Sequence, residues 1–595
     1  MPCADGYFFP SPAYFLILFG FFMNFKILGL LLPFGIVACA QIPAKNDVDE
    51  LGRSAKQAEI RLANLPKQEL TAPILFDYLV GEVAWQRGYP EIAVKNYLKL
   101  AEKTHDHRIA QRATEIALNV RHPYAAEKAV SMWTEFDPES GSANQTAAAL
   151  LINMGKLDKA RPYLEKLMDS EGTMVDNAFM QLNTLLSRHA DKIAVYKLVH
   201  HLAEPYPKTP EARFAVSQSA WFAAQFDVAL SEMEQALALR PDWETAAIYK
   251  GQILRRNNYA DAIEFYQNFI NKYPKANDTR VAFIRMLMEE NNFDQAREQR
   301  ELLLKNNPSD SDVALAVGLL SMDLNDLDVA ETNLTTAIDL GYKDTSLIYF
   351  HLAQIYDESQ RIELAKDAYL KVTSGGQFLP AQIQYAVLLA RQGNLKDAQF
   401  HIQQLPVANE LQVAHLILAE AQLLRESGEH QEVFDLLSRG LEKLPDSPEI
   451  LYDHALAADK VGKFKTLEQN LQKLIQLKPD HAHAYNALGY SLAERGERLP
   501  EALKLIKKAV ELSPGDAFIM DSLGWIYYRM GNIQDGLSYL NQAYAARPDP
   551  EIAAHLGEVL WVQGAENDAK RIWQSALKDY PDNEVLLETI ERLMR

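Results

Sequence analysis

The 595-residue chain is poor in cysteine, glycine and proline, and these shortages exclude several kinds of protein. Only Cys3 and Cys39 are present, so the sequence has neither a disulfide framework nor a cysteine-rich metal site. Glycine and proline number 27 each, which together is about 9% of the chain against an average of about 12%. That is too little for many short strands and turns, and too little for a disordered chain. With 48% hydrophobic residues, the chain can bury a large core.

An excess of positive charge is missing as well. The 80 acidic residues outnumber the 60 basic ones, which gives a net charge of −20, and no run of lysine and arginine makes a basic patch. A chain of this sign repels the phosphate backbone of nucleic acids. We therefore expect no nucleic-acid partner.

Motifs for catalysis and metal binding are also missing. The sequence contains no His-Glu-x-x-His, no Gly-x-Ser-x-Gly and no glycine-rich phosphate loop followed by Lys-Ser or Lys-Thr. Two metal ligands on one helix face need a separation of three or four residues. The histidine pairs of this chain lack that separation: His105 and His107, His200 and His201, His481 and His483. We expect no metal, no cofactor and no catalysis; the alternative is an enzyme whose site is unrecognised.

The first forty residues contain a short uncharged run that ends in a cysteine. One positive charge at Lys26 precedes an uncharged, mostly apolar run from Ile27 to Ala38. A run of twelve residues suits the core of a signal peptide, and it falls short of the roughly 20 residues that span a bilayer. The ending Ile36-Val37-Ala38-Cys39 resembles a lipobox, in which the cysteine is lipidated and exposed by cleavage. The alternative is a cysteine that happens to end a hydrophobic anchor.

We predict a signal peptide over residues 1–38, followed by the lipidated cysteine and a tether over residues 39–69. Residues 1–22 are also largely apolar, so either the true start is Met23 or an uncleaved membrane helix precedes the signal. Residue 40 is alanine instead of aspartate. By the sorting rule of enteric-type lipoproteins, that residue favours the outer membrane. We predict a lipid-anchored protein on the outer membrane that faces the periplasm.

Beyond the tether, prolines recur at a nearly constant spacing. Pro479, Pro514, Pro548 and Pro581 are separated by 35, 34 and 33 residues. Small and apolar residues recur in step with them, and a Leu-Gly pair often comes earlier in the unit, as at Gly524. The pattern resembles the tetratricopeptide repeat, whose 34-residue unit is a pair of antiparallel helices. In that family, glycine and alanine lie where two helices cross closely, and proline ends the second helix.

The resemblance implies an all-α fold, a right-handed superhelical solenoid of about fifteen tetratricopeptide-type helix pairs. We predict divergent helical repeats over residues 70–375 and clearer tetratricopeptide repeats over residues 376–595. The glycine-rich stretch Ser374-Gly375-Gly376 separates them. It is either a change in the path of the superhelix or an ordinary loop between two units.

A solenoid of this family has a concave face, lined mainly by the first helix of each pair. In the last three units, the inward-facing positions carry tyrosine and tryptophan, which are enriched at binding hot spots. The alternative is that these aromatics pack against neighbouring helices, as we expect for Tyr527 and Leu560. The predicted partner-binding groove comprises Asn486, Tyr490, Asp521, Trp525, Tyr528, Arg529, Glu558 and Trp561, and His483, Phe518 and Glu551 also face inward.

Two segments, 485–495 and 521–529, look like a proteobacterial lipoprotein family of similar length. That family is similar to the outer-membrane adaptors of a periplasmic carboxyl-terminal processing protease, which present cell-wall hydrolases for degradation. The resemblance implies the same non-catalytic adaptor function, with the protease and the hydrolases as partners. A second hypothesis is an assembly scaffold for a polysaccharide exporter or a pilus secretin.

Overall fold

The computed structural model describes residues 66, 68–169, 173–187 and 189–594. The predicted signal peptide, the predicted lipidation site Cys39 and the predicted tether up to residue 65 lie outside the described residues. The described chain contains 31 α-helices and no strand. Helices follow one another in pairs joined by short loops, which makes fifteen pairs and a last helix. The predicted all-α fold of about fifteen tetratricopeptide-type helix pairs is confirmed.

The described chain divides into two compact units between Tyr342 and Lys343. The predicted boundary at residue 375 falls within the second unit, in the loop between its first and second helix pairs. The first unit contains eight pairs. Its helices are α1 (Ala72–Gln86), α2 (Pro90–Thr104), α3 (His107–Asn119), α4 (Pro123–Phe136), α5 (Gly141–Asn153), α6 (Leu157–Met168), α7 (Thr173–Leu186), α8 (Lys192–Ala203), α9 (Pro210–Phe222), α10 (Phe226–Leu239), α11 (Glu244–Asn257), α12 (Tyr259–Lys272), α13 (Asn277–Glu289), α14 (Phe293–Asn306), α15 (Ser311–Asp323) and α16 (Leu327–Asp339).

The second unit contains seven pairs and the last described helix. Its helices are α17 (Thr345–Glu358), α18 (Ile362–Leu370), α19 (Phe378–Arg391), α20 (Leu395–Gln403), α21 (Glu410–Glu426), α22 (His430–Lys443), α23 (Pro448–Lys460), α24 (Phe464–Leu477), α25 (Ala482–Glu494), α26 (Leu499–Leu512), α27 (Ala517–Arg529), α28 (Ile533–Ala546), α29 (Pro550–Val562), α30 (Glu566–Asp579) and α31 (Glu584–Met594).

The helix ends of the second unit follow from local sequence. The four regularly spaced prolines, from Pro479 to Pro581, lie in the loops after α24, α26, α28 and α30, because proline cannot continue a helix. The side chain of Asp516 accepts a hydrogen bond from the Ile519 backbone N–H at 3.0 Å and caps the start of α27. Pro550 occupies the first turn of α29, where its missing N–H leaves no hydrogen bond unmade.

Glycine lies where the two helices of a pair cross, as the repeat pattern predicts. A Cβ atom on Gly524 of α27 would lie 2.7 Å from Leu540 Cγ and 2.9 Å from the Gly536 carbonyl oxygen of α28. A Cβ atom on Gly489 of α25 would lie 2.7 Å from Ile506 Cγ1 of α26. All three distances are shorter than the contacts that real Cβ atoms make, so these two crossings require glycine.

The apolar side chains of each pair pack against the neighbouring pairs. One cluster joins Leu492 of α25 and Ile506 of α26 to Leu523 and Ile526 of α27. The core is therefore a series of small clusters, which is typical of a solenoid. None of the helices in the described ranges is both long and apolar enough to cross a membrane.

Candidate protein-binding surface of the C-terminal unit

In the last pairs, the first helix of one pair also contacts the first helix two pairs further along the chain. Tyr490 on α25 and His555 on α29 are two helix pairs apart, yet the Tyr490 hydroxyl oxygen lies 3.4 Å from His555 Nε2. First helices two pairs apart meet only on the inside of a curved array, so these residues lie on the inner side of the unit. We call this surface the inner face, and it consists of Tyr490, Glu494, Asp521, Trp525, Tyr528, Arg529, Glu551, His555 and Glu558.

Trp525 is at the centre of the inner face. Its indole stacks on the His555 ring with the ring centres 4.3 Å apart, and its Nε1–H donates to a Glu494 carboxylate oxygen at 2.7 Å. Arg529 donates to the Glu494 backbone carbonyl at 2.9 Å, and its guanidinium lies 3.6 Å from the Glu494 carboxylate. Trp525 is only 5% exposed. The contacts of Trp525 are therefore those of a packed side chain with a polar anchor.

Asp521 and His555 form a buried ion pair under this stack. His555 Nδ1 lies 2.9 Å and 3.0 Å from the two Asp521 carboxylate oxygens, and Asp521 has no exposed surface. Burial alone would lower the pKa of His555, but the Asp521 carboxylate outweighs burial and raises that pKa to about 9. The imidazole is therefore a cation at neutral pH, held by the aspartate.

Glu551 has a different environment. Its side chain is buried and has no hydrogen-bond or ion-pair partner among the described residues. Burial and the nearby Asp549 and Asp521 carboxylates together raise the pKa of Glu551 to about 8, and His555 and Lys460 partly oppose this rise. The Glu551 carboxyl group is therefore mostly protonated at neutral pH.

Glu558 connects the inner face to the last helix. Its carboxylate forms an ion pair with Arg592 of α31 and lies 3.4 Å from the Tyr528 hydroxyl, which donates to it. Glu558 is 7% exposed, whereas the Arg592 side chain is 53% exposed. The positive charge that pairs with the buried Glu558 carboxylate is therefore the Arg592 guanidinium of α31.

The remaining predicted groove residues lie outside this network. Asn486 is buried, and its Oδ1 atom has no hydrogen-bond partner among the described residues. Trp561 is partly buried, with its ring 5.7 Å from Trp573 and the Lys570 ammonium 5.1 Å from its centre. Tyr527, which we expected to pack, stacks on Tyr539 with the ring centres 5.7 Å apart.

Six of the eight predicted groove residues thus lie together on the inner face. These six residues differ in how far they are buried. Asp521, Trp525, Tyr490 and Glu558 are buried, whereas Tyr528 and Arg529 remain partly exposed. Partner binding by the groove stays a prediction. Its accessible atoms are those of the partly exposed aromatic and charged side chains.

The sequence reasoning missed Glu494, His555 and Arg592. A signal for them exists, because each pairs with a residue about one repeat away in sequence. Asp521 and His555 are 34 residues apart, as are Glu558 and Arg592, and Glu494 and Arg529 are 35 apart. Opposite charges separated by one repeat period therefore mark contacts between successive first helices.

The described ranges contain no candidate metal site. No group of three or more histidine, cysteine, aspartate or glutamate side chains is arranged there to hold a metal ion. The pairs His200/His201 and His481/His483 instead contact nearby carboxylates or cap helix ends, as His481 does for α25.

Comparison with known proteins assigns the family. The tetratricopeptide-repeat family matches residues 216–277, 452–517 and 522–584, and a second form of the same repeat matches residues 347–374. A tetratricopeptide-repeat-containing protein of Pseudomonas aeruginosa is 31% identical over 521 residues, which is 87% of this chain and 88% of that protein. The chain belongs to the tetratricopeptide-repeat proteins. Such repeats form scaffolds for protein–protein interaction, and proteins built from them are generally non-catalytic.

Other likenesses are more limited. Part of the mouse protein O-mannosyl-transferase TMTC1 is 26% identical over 143 residues, which is 23% of this chain and 15% of that enzyme. The crystal structure of a thermophilic tetratricopeptide-repeat protein of Thermus thermophilus is 24% identical, covers 31% of this chain and all of its own, and has a TM-score of 0.29. The Cut9 and Hcn1 hetero-tetramer structure is 15% identical, covers 84% of this chain and 99% of its own, with a TM-score of 0.29.

Proposed function

We propose that this tetratricopeptide-repeat protein is a lipid-anchored adaptor of the bacterial envelope. In this proposal, lipidated Cys39 attaches it to the outer membrane on the periplasmic side. Its repeats then present cell-wall hydrolases to a carboxyl-terminal processing protease, without catalysis by the chain itself. The lipobox-like sequence and the two segments of the last units that resemble such adaptors support the proposal.

The observation that carries the binding part is the inner face of the C-terminal unit. Tyr528 and Arg529 are partly exposed there, Trp561 of the predicted groove is partly exposed outside it, and side chains of these types dominate binding hot spots. The Trp525 stack and the buried ion pair beneath them hold the surrounding helices in place. A fixed support lowers the entropy cost of binding, because fewer side chains must be ordered when a partner arrives.

A long repeat array also suits a protein that must hold two partners at once. The described chain has two compact units, with eight pairs in one and seven pairs in the other. Because each pair of a solenoid contacts mainly the pairs close to it in sequence, separate stretches can bind separate partners. An adaptor needs one stretch for the protease and one for the substrate.

Affinity capture of the tagged full-length chain from detergent-solubilised membranes, followed by mass spectrometry, tests the proposal. We expect a PDZ-containing Ser–Lys protease and cell-wall hydrolases among the captured proteins. Capture of a secretin or an export porin instead would contradict the adaptor function and support the assembly scaffold.

The partly exposed aromatic side chains of the predicted groove are tested by the double variant Tyr528→Ala with Trp561→Ala in the same capture experiment. The control is Tyr580→Ala, which removes an exposed aromatic side chain of the same unit outside the inner face. We expect the double variant to lose a partner that the control retains, at unchanged helix content. Equal capture by both variants would show that the partners bind elsewhere.

A further inference from the structure

The side of α1 that faces away from α2 is apolar and exposed. α1 approaches α2 at Gly81, where a Cβ atom would lie 2.9 Å from Tyr97 Cε2. Leu79 and Val83 are two positions from Gly81 in either direction, which places them on the opposite side of the helix. We call that side the outer side of α1, and its large apolar side chains are between 42% and 66% exposed: Leu75, Phe76, Leu79 and Val83.

α1 also has few polar side chains for the end of an array. Asp77, Glu82 and Gln86 are its only charged or amide residues. Asp77 pairs with Lys103 of α2, and Glu82 accepts a hydrogen bond from Arg112 Nε of α3 at 3.2 Å. A helix that is apolar on all sides is normally buried, and the terminal units of a solenoid normally carry a polar outer face. The outer side of α1 therefore has the composition of a surface that another helix covers.

The sequence just before α1 carries a second apolar stripe. Its residues are separated by three and four positions in turn, the spacing that places side chains on one side of a helix: Val48, Leu51, Ala55, Ala58, Leu62 and Leu65. Apart from Ile60 and Ala63, the positions between them are polar, charged or glycine. Asp47 with Glu50 three residues later is a helix start signal, and Pro66 is a stop signal. This stretch lies outside the described residues, and its sequence predicts an amphipathic helix over residues 48–65.

The two stripes match when the segment runs antiparallel to α1. The six residues from Pro66 to Thr71 separate the two, and antiparallel helices are usually joined by about 2–8 residues. The facing residues are then Leu62 with Phe76, Ala58 with Leu79, and Ala55 with Val83. The alanines of the segment thus meet large side chains of α1, so the two helices can approach closely.

The length of the segment and the place where it ends fit this arrangement. Gln68 Nε2 donates to the Lys103 carbonyl oxygen at 3.0 Å, so the chain reaches α1 from the end of the pair at which α2 ends. As an α-helix, residues 48–65 extend about 27 Å, and the 15 residues of α1 extend about 22 Å. An antiparallel helix therefore covers α1 along its whole length.

We propose that residues 48–65 of this chain form a helix that packs antiparallel on the outer side of α1 and closes this end of the array. The helix is the occupant of the exposed apolar surface, in the place that the second helix of a preceding pair would take. This packing goes beyond the proposed function and does not depend on it.

One consequence does rest on the proposed lipid anchor at Cys39. With residues 48–65 bound to α1, only residues 40–47 remain as a free linker. Eight extended residues reach about 28 Å, whereas the 26 residues from 40 to 65 would reach about 90 Å. The first pair would then be held close to the membrane surface.

Thiol labelling of the full-length chain tests the packing. Cys3→Ser and Cys39→Ser remove both native thiols, so each introduced cysteine is the only one in its chain. Ala58→Cys lies on the side of the segment that faces α1, and Arg53→Cys lies on the other side. We expect a maleimide to label Ala58→Cys at least about tenfold more slowly than Arg53→Cys, because the helix must open before the covered thiol reacts. Equal rates would overturn the proposal.

A second set of variants identifies what covers α1. Leu79→Cys, in the same cysteine-free chain, reports on the outer side, and we expect it to label slowly. Leu62→Asp places a charge in the contact and should raise that labelling rate at least about tenfold. Ile60→Asp makes the same kind of change two positions away, on the other side of the segment. It is the matched control and should leave the rate unchanged.

The remaining outcomes all contradict the proposal. Fast labelling of Leu79→Cys before Leu62→Asp is added shows that α1 is uncovered, and slowing by phosphatidylethanolamine–phosphatidylglycerol vesicles would assign the surface to the membrane. Slow labelling that Leu62→Asp does not change, and that slows further at higher protein concentration, would assign it to a second copy of the chain. These chains lack Cys39 and all partners, so a failure here is distinguishable from a failure of the lipid anchor or of the adaptor function.

Discussion

Gly524 allows the backbones of α27 and α28 to touch, since a Cβ atom there would lie 2.7 Å from Leu540 Cγ. We expect Gly524→Leu to destabilise the unit by about 1–3 kcal/mol, the usual cost of forcing extra volume into a filled site. In a solenoid the loss should appear first in the adjacent pairs. Urea unfolding and hydrogen exchange measure the effect. Ala545→Leu, which adds a similar volume at an exposed position of α28, is the control, and equal stability of the two variants would contradict the predicted crossing.

His555 and Glu551 make the stability of this unit depend on pH. Relative to ordinary values of 6.5 and 4.5, the pKa of His555 is raised to about 9 by Asp521 against burial, and that of Glu551 to about 8 by burial. Both groups bind a proton more tightly in the folded state, so the stability they confer is present below their unfolded pKa values and is lost as pH rises. The free energy of unfolding of the C-terminal unit should therefore fall from about pH 5 to pH 9.

Two single variants separate these contributions. Glu551→Gln cannot ionise, so its unit should be more stable than the wild type at pH 9 and should lose less stability between pH 5 and pH 8. His555→Gln removes the imidazolium group that pairs with Asp521. The free energy of unfolding should therefore change less between pH 6.5 and pH 9 than it does in the wild type. Thermal unfolding at several pH values, combined with hydrogen exchange of α29, measures both. Parallel pH profiles for the wild type and both variants would refute the assignment.

Among the helices, the recurring prolines and glycines made the pairs of the last units predictable from sequence. The recurring prolines follow the last turns of their helices, which they cannot continue, and glycine is required at the close crossings of Gly489 and Gly524. Seven of the nine inner-face positions were predictable for the same reason, because equivalent repeat positions face the same way, whereas Glu494 and His555 were missed. Their burial was not, since it depends on contacts between helices two pairs apart, such as Tyr490 with His555. Local spacing says nothing about how tightly an array curves.

The burial of Trp525 changes what its replacement should do. Trp525 packs between α25 and α29, so Trp525→Ala should cost about 3–5 kcal/mol, the range for removing a large buried aromatic side chain. Trp525→Phe keeps a ring against His555 and loses the hydrogen bond to Glu494, which should cost about 1–3 kcal/mol. Denaturant unfolding of both variants measures the difference. A Trp525→Ala protein as stable as the wild type would contradict the packing role of this side chain.

The whole chain combines a repeat array with an amino-terminal segment of different composition. Stability in such an array is a sum over pairs and their interfaces, so the variants discussed above should act within one unit. Attachment to a membrane, by contrast, should depend on the predicted lipidation at Cys39. Variants of the repeat array should therefore lose partner binding and stay in the membrane fraction. Variants of Cys39 should leave the membrane fraction and keep their fold.

Cys39→Ser should release the protein from the membrane fraction while its helix content and unfolding behaviour stay the same. The physical reason is that a single acyl chain anchors only marginally, whereas the several chains carried by lipoproteins of the type this sequence resembles anchor firmly. Cys3→Ser is the matched control, because Cys3 lies in the segment that we expect to be absent from the mature protein. Cell fractionation measures the release, and intact-mass analysis should find a chain that begins at acylated Cys39. An unmodified chain that keeps residues 24–38, or equal release by both variants, would contradict the lipid anchor.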